Sequence, residues 1–96
     1  MSDSEETEGW PCHLSPEVER LLLDPKTDPQ MFSAIIATTV VINETSGEVP
    51  GHTASQQWPQ QRRIPLGPHG SLGVAEYVVV ADADPPHCIL TRVQPY

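Results

Sequence analysis

Two cysteine–histidine pairs are the first residues of this chain that could do chemistry. Cys12 precedes His13 and His87 precedes Cys88, and together they supply the residue types of a structural zinc site. Neighbouring residues of a strand point to opposite faces, so neither pair readily places both members on one metal, and the chain has no Cys-x-x-Cys motif. The sequence therefore favours two unlinked thiols over a Cys12–Cys88 disulfide or a metal site, and it predicts no cofactor.

A polar cluster near the carboxyl end, DADPPH, is a second candidate for chemistry. Asp82, Asp84 and His87 could hold a cation. Aspartates beside prolines are also typical of turns, where the carboxylate accepts hydrogen bonds from nearby backbone amides. Because apolar segments flank the cluster on both sides, we interpret it as the loop of a β-hairpin.

Two helices are predicted in the first half of the chain. The first has Ser15 as its N-cap, a proline in its first turn, and an end before Pro25. The second has Asp28 as its N-cap and ends before Gly47. Residues 35–42 are rich in Ile, Val and Thr, which favours a strand, but the cap, the closing glycine and the helical spacing favour a helix.

Three strands are predicted in the second half, after a loop of about a dozen residues. The first is the short segment RRIPL, and VAEYVVVA and HCILTRV form the hairpin around the polar cluster. A short strand near Cys12 completes the order β-α-α-β-β-β. We predict one α+β domain over residues 10–96, a small antiparallel sheet covered by two helices.

Acidic residues outnumber basic ones by 13 to 5, which gives a formal net charge of -8. Four of the acids lie in the first eight positions, and residues 1–9 are predicted to be a disordered acidic tail. Arg62 and Arg63 form the only basic cluster. The composition therefore argues against autonomous tight binding to nucleic acid and favours a basic protein partner.

The chain contains no apolar run of the roughly 20 residues that a membrane-spanning helix needs. The longest run, residues 34–42, is interrupted by two threonines. The first residues lack the basic and apolar regions of a secretory signal. We expect a cytoplasmic protein with reduced thiols and no membrane partner.

The order of the elements resembles that of the RelE/ParE toxin superfamily. The similarity runs over residues 10–96 and is carried by the segments WPCHLSPEVERLLL, RRIPLG, GVAEYVVVADADP and HCILTRV. The resemblance implies a RelE-like fold and an antitoxin as protein partner. For the ribonuclease members it also implies ribosome-dependent cleavage of messenger RNA.

The resemblance further implies which residues would act on RNA. Arg62 and Arg63 fall on the strand where the family carries basic residues, and Arg92 and Tyr96 fall on the last strand and tail. Cleavage also needs a base for the 2′-hydroxyl, for which Glu76 is the candidate. If the nuclease surface is intact, the three arginines should converge on one side of the sheet.

One position departs from the family pattern. The family usually places an arginine just ahead of the aromatic residue of the middle strand, where this chain has Glu76 before Tyr77. A carboxylate at that position repels the scissile phosphate. One interpretation is therefore a degenerate relative of these toxins that no longer acts as an mRNA interferase. The alternative is a small acidic interaction module, such as an inhibitor, an accessory subunit or a nucleic-acid mimic, that binds a basic partner.

Overall fold

The computed structural model describes residues 9–96. Within that range the predicted order of helices and strands is confirmed, with one additional two-residue strand. The prediction of an acidic tail over residues 1–9 falls, apart from Gly9, outside the described residues. The elements are β1 Cys12–Leu14, α1 Pro16–Leu23, α2 Pro29–Thr45, β2 Thr53–Ala54, β3 Gln61–Leu66, a 3₁₀ turn Pro68–Gly70, β4 Gly73–Val80 and β5 His87–Pro95.

The strands form one sheet in the order β1-β5-β4-β3-β2. Strand β4 pairs antiparallel with β3 and with β5, as the hairpin interpretation predicts. Strand β1 joins β5 in parallel, so the sheet is mixed. The short β2 lies inside the segment that the sequence predicts as a loop and pairs with β3.

Both helices begin and end where the sequence predicts. The side chain of Ser15 accepts a hydrogen bond from the amide of Val18, and the side chain of Asp28 accepts one from the amide of Gln30 at the start of the second helix. Helix α2 closes on a left-handed Ser46, and the amide of Gly47 donates to the carbonyl of Ile42 at 2.9 Å. Residues 35–42 are helical, because the cap and the burial of one face outweigh their β-branched composition.

The core lies between the two helices and one face of the sheet. Val18 of α1 and Ile35 and Ile42 of α2 pack against Tyr77 and Leu90 of the central strands, and all five are almost completely buried. Helix α1 contacts β1 and β5, and α2 contacts β1, β3 and β5. No helix of residues 9–96 is both long and apolar enough to cross a bilayer.

The other face of the sheet carries no helix within the described range, and we call it the open face. Strand alternation and the observed register decide which side chains it presents. They are His13, Gln61, Arg63, Pro65, Val74, Glu76, Val78, Val80, His87, Ile89, Arg92 and Gln94.

Candidate functional site

Three charged residues form a row across the open face. Glu76 of β4 lies directly opposite Arg63 of β3 on one side and Arg92 of β5 on the other. The Nε atom of Arg63 donates to Oε2 of Glu76 at 2.7 Å, and the Glu76 side chain is only 8% exposed. A nearly buried carboxylate is thus paired with Arg63 on one side and has the exposed Arg92 at the opposite position of β5.

A β-bulge in β5 places Arg92 in this row. Leu90 points into the core and Arg92 points to the open face, although residues two apart share a face in a regular strand. The extra residue is Thr91, whose hydroxyl donates to the carbonyl of Glu76 at 3.2 Å. The carbonyl of Thr91 accepts from the hydroxyl of Ser15 at 3.0 Å, so the first helix cap also stabilises the bulge.

The carboxyl-terminal Tyr96 lies near one end of the row. Its amide donates to the carbonyl of Leu72 at 3.1 Å, and its side chain is among the most exposed of the described residues. With Arg63 and Val74 it lines a shallow depression of about 270 Å³. Four of the five residues predicted as catalytic, Arg63, Glu76, Arg92 and Tyr96, are therefore associated with the open face.

Arg62 lies on the opposite, helix-covered side of the sheet, so the expected convergence of all three arginines is wrong. Consecutive residues of β3 alternate between faces, which separates Arg62 from Arg63. Arg62 instead donates to the Gly47 carbonyl at 2.9 Å and to Oε2 of Glu48 at 2.7 Å. This hydrogen bond holds the pKa of the Glu48 carboxyl below its ordinary value.

The Gly47 carbonyl is the centre of a structural network. The Tyr77 hydroxyl donates to the same oxygen at 2.6 Å from inside the core. Arg62 and Tyr77, which are opposite each other in the sheet, thus both bind the chain just after α2. Arg62 therefore has a structural role in this fold.

The middle of the open face is apolar. Its four aliphatic side chains are half-buried and leave part of their surface accessible: Val74, Val78, Val80 and Ile89. At the β1 edge the rings of His13 and His87 meet edge to face, with centroids 5.1 Å apart. Val78, Val80 and Ile89 thus lie between the histidine pair and the charged row, and Val74 lies on the other side of the row.

The two cysteines are neighbours in the structure. Cys12 and Cys88 are direct partners in the parallel β1–β5 register, and both are free thiols. Burial raises the pKa of Cys12 to about 11 and also raises that of Cys88. In the part of the chain that the structure describes, no three His, Cys, Asp or Glu side chains are grouped as metal ligands.

Comparison with models of protein families, with curated proteins and with solved structures finds no match for this chain. The RelE/ParE relationship stays a prediction, based on element order and strand residues.

Proposed function

We propose that the protein is an interaction module with a RelE/ParE-like order of elements, whose open face binds a protein partner. The observation that carries this proposal is the composition of the open face. Aliphatic side chains lie partly accessible at its centre, and Arg92 and Tyr96 lie at its margin. Protein interfaces commonly have an apolar centre with a polar rim, and Arg and Tyr are frequent among the residues that dominate binding.

The charge of the open face indicates the chemistry of the partner. The charged row on this face consists of two cations and one anion, Arg63, Arg92 and Glu76. The molecule as a whole has a formal net charge of -8. A partner segment with apolar side chains and an adjacent carboxylate complements this face, in contrast to the basic partner that the overall composition favours. An antitoxin segment, which the family resemblance implies, could have this composition.

Binding is better supported than cleavage for two reasons. Glu76 is nearly buried and engaged by Arg63, so it must be uncovered before it can take a proton from RNA. Arg62 binds the Gly47 carbonyl on the other side of the sheet, which leaves few cations to neutralise phosphates.

The test is capture of a partner from the native host with matched charge-reversal variants. Wild-type protein is immobilised beside Arg92→Glu, on the open face, and Arg20→Glu, which makes the same charge change on exposed α1. We expect one partner to be retained by wild type and by R20E and lost by R92E. Loss with R20E but not R92E, or capture of no partner, would contradict the proposal.

The separation of Arg62 from the other two arginines counts against a second candidate function, RNA cleavage, and one observation favours it, the Arg63–Glu76–Arg92 row with Tyr96 near its end. Glu76 would act as the base toward the 2′-hydroxyl, and the arginines would stabilise the charged transition state. Expression alone should then arrest growth and cleave ribosome-bound messenger RNA, and Glu76→Gln should remove both effects. Normal growth during expression of soluble, folded wild type would rule this function out.

A further inference from the structure

The two cysteines of this chain meet in the folded protein. Cys12 lies near the start of the sequence and Cys88 near its end, and they are direct partners in the parallel pairing of β1 with β5. Directly opposite residues of neighbouring strands point to the same side of the sheet, which for this pair is the side covered by the helices. The fold therefore brings together two thiols that most of the sequence separates.

The spacing of the two strands suits a disulfide bond. Neighbouring strands lie about 4.8 Å apart, and disulfides join Cα atoms that are about 4.4–6.8 Å apart. The pair is therefore inside the allowed range but near its lower limit. A disulfide away from its preferred geometry is strained, and strained disulfides are more easily reduced than relaxed ones. A bond between Cys12 and Cys88 should thus be reversible.

The two thiols differ in their access to solvent. Cys88 is fully buried beneath the junction after α2, where a Cβ atom on Gly47 would lie 3.1 Å from its sulfur. Cys12 is only half-buried and belongs to β1, the strand at the edge of the sheet. An oxidant can therefore reach Cys12 first. Cys88 then lies beside the modified sulfur, as a resolving cysteine does in redox-sensitive proteins.

We propose that Cys12 and Cys88 form a reversible oxidation site, at which a small-molecule disulfide converts the two thiols into an intrachain disulfide. The Cys12 thiolate attacks one sulfur of the small disulfide, which gives a mixed disulfide and releases one small thiol. The Cys88 thiolate then attacks Sγ of Cys12, and the second small thiol leaves. The two cysteines lose two electrons, which the small disulfide gains, and their two protons pass to the released thiols.

Burial sets the rate of this reaction. The thiolate is the attacking species, and burial raises the pKa of Cys12 to about 11 and also raises the pKa of Cys88. Only a small fraction of either cysteine is therefore ionised at neutral pH. The reaction is expected to be slow there and to accelerate as the pH rises toward 11. The site thus responds to sustained rather than brief oxidation.

Oxidation would fasten the edge strand to the centre of the sheet. Strand β1 has only three residues, and backbone hydrogen bonds hold it to β5, among them those from Cys88 to Pro11 at 2.8 Å and from Ser15 to Leu90 at 3.0 Å. A disulfide across this pairing closes a loop that spans most of the chain, which restricts the unfolded state. The pair lies on the helix-covered side of the sheet, so the proposal is independent of the open face.

The experiment measures the disulfide in the full chain. Wild type is equilibrated with mixtures of reduced and oxidised glutathione in mildly alkaline buffer, both folded and in concentrated urea. Free thiols are then blocked with N-ethylmaleimide, and intact chains are weighed by mass spectrometry. Cys88→Ala keeps the half-buried thiol alone, and Cys12→Ala keeps the buried one alone. Circular dichroism establishes that each variant is folded.

We expect folded wild type to lose two hydrogen atoms and to take up no maleimide, and dithiothreitol to reverse both changes. The ratio of disulfide to dithiol should be at least tenfold higher in the folded chain than in urea, because the fold holds the thiols together. C88A should stop at one glutathione on Cys12, and C12A should stay unmodified.

Wild type that ends with glutathione adducts, with disulfides between chains or with two free thiols would overturn the proposal. An equal ratio of disulfide to dithiol in buffer and in urea would overturn it too, since the fold would then not favour the pair. This comparison uses wild type alone, so it stays decisive if C88A fails to fold. Glutathione on Cys88 of folded C12A would overturn the order of the two steps.

Discussion

Glu76 is the residue whose environment most constrains the open face. It is a buried carboxylate between aliphatic neighbours on β4, and Arg63 donates to it at 2.7 Å. A buried carboxylate without its partner is more costly than an apolar side chain of similar size. The Arg63–Glu76 ion pair is therefore expected to stabilise the fold mainly by offsetting the cost of burying the Glu76 carboxylate.

Removing Arg63 tests this interpretation. Arg63→Ala should lower the free energy of unfolding by about 1 kcal/mol, because Glu76 loses a charge-assisted hydrogen bond but gains access to water. The double variant with Glu76→Val, which extends the row of valines on β4, should recover most of the loss. Urea unfolding measures both, and a double variant less stable than R63A would contradict the argument.

Cys12 makes the stability of the protein depend on pH in the alkaline range. Its pKa is raised from the ordinary 9.0 to about 11, mainly by burial and also by Cys88. Above pH 9 the unfolded chain loses the proton while the native thiol keeps it, so the free energy of unfolding falls as pH rises toward 11. Below pH 9 this contribution is fully present.

Urea unfolding at a series of alkaline pH values checks this prediction. Cys12→Ala should reduce the dependence without removing it, since burial also raises the pKa of Cys88 and Tyr77. An unchanged pH dependence in C12A would show that Cys12 titrates normally.

At the scale of elements, the junction after α2 depends on one residue, Gly47. Gly47 has a φ of +85°, and a Cβ atom there would lie 2.7 Å from a methyl group of Val79. Its carbonyl also accepts the hydrogen bonds from Tyr77 and Arg62. Both the backbone conformation and the space favour glycine at this position.

Two glycines with the same backbone conformation separate these effects. Gly51 has a φ of +84°, but a Cβ atom there would meet nothing within 4 Å. Gly51→Ala should therefore cost about 1 kcal/mol, from conformation alone. Gly47→Ala should cost about 2–4 kcal/mol, because the core must also move. Equal losses in thermal unfolding would show that packing around Gly47 is not tight.

The features that the sequence predicts correctly are those with local causes. The caps at Ser15 and Asp28 and the stop at Gly47 are interactions within a few residues, so composition and spacing identify them. The parallel pairing of β1 with β5 and the bulge at Thr91 depend on contacts between distant segments, and HCILTRV carries no turn residue that marks a bulge. Alternation along β3 separates Arg62 from Arg63, so adjacent basic residues in the sequence do not share one face of the sheet.

At the scale of the whole molecule, charge is unevenly distributed. The open face has two arginines around one carboxylate, α2 is almost uncharged, and exposed acidic residues such as Glu17 and Glu19 lie on α1. Binding of a partner carboxylate on the open face is therefore assisted by local attraction, although the molecule as a whole has a formal net charge of -8.

Ionic strength should act on partner binding at the open face. Raising salt from about 0.01 M to about 0.15 M shortens the screening length from roughly 30 Å to 8 Å. Binding of the partner retained by wild type and by R20E should become weaker, because the attraction between the arginines of the open face and a carboxylate of the partner is screened. Binding that does not change with salt would show that these charges do not contribute.

The bulge also has a consequence for the length of the chain. Strand β5 holds one residue more than its pairing with β4 requires, and that residue is Thr91. Deletion of Thr91 would leave all other side chains of β4 and β5 on their present faces and would remove two hydrogen bonds. Deletion of one residue within β4 would instead turn a stretch of core side chains toward solvent. Of the two strands of this hairpin, β5 is therefore the one in which a single-residue deletion preserves the pattern of buried and exposed side chains.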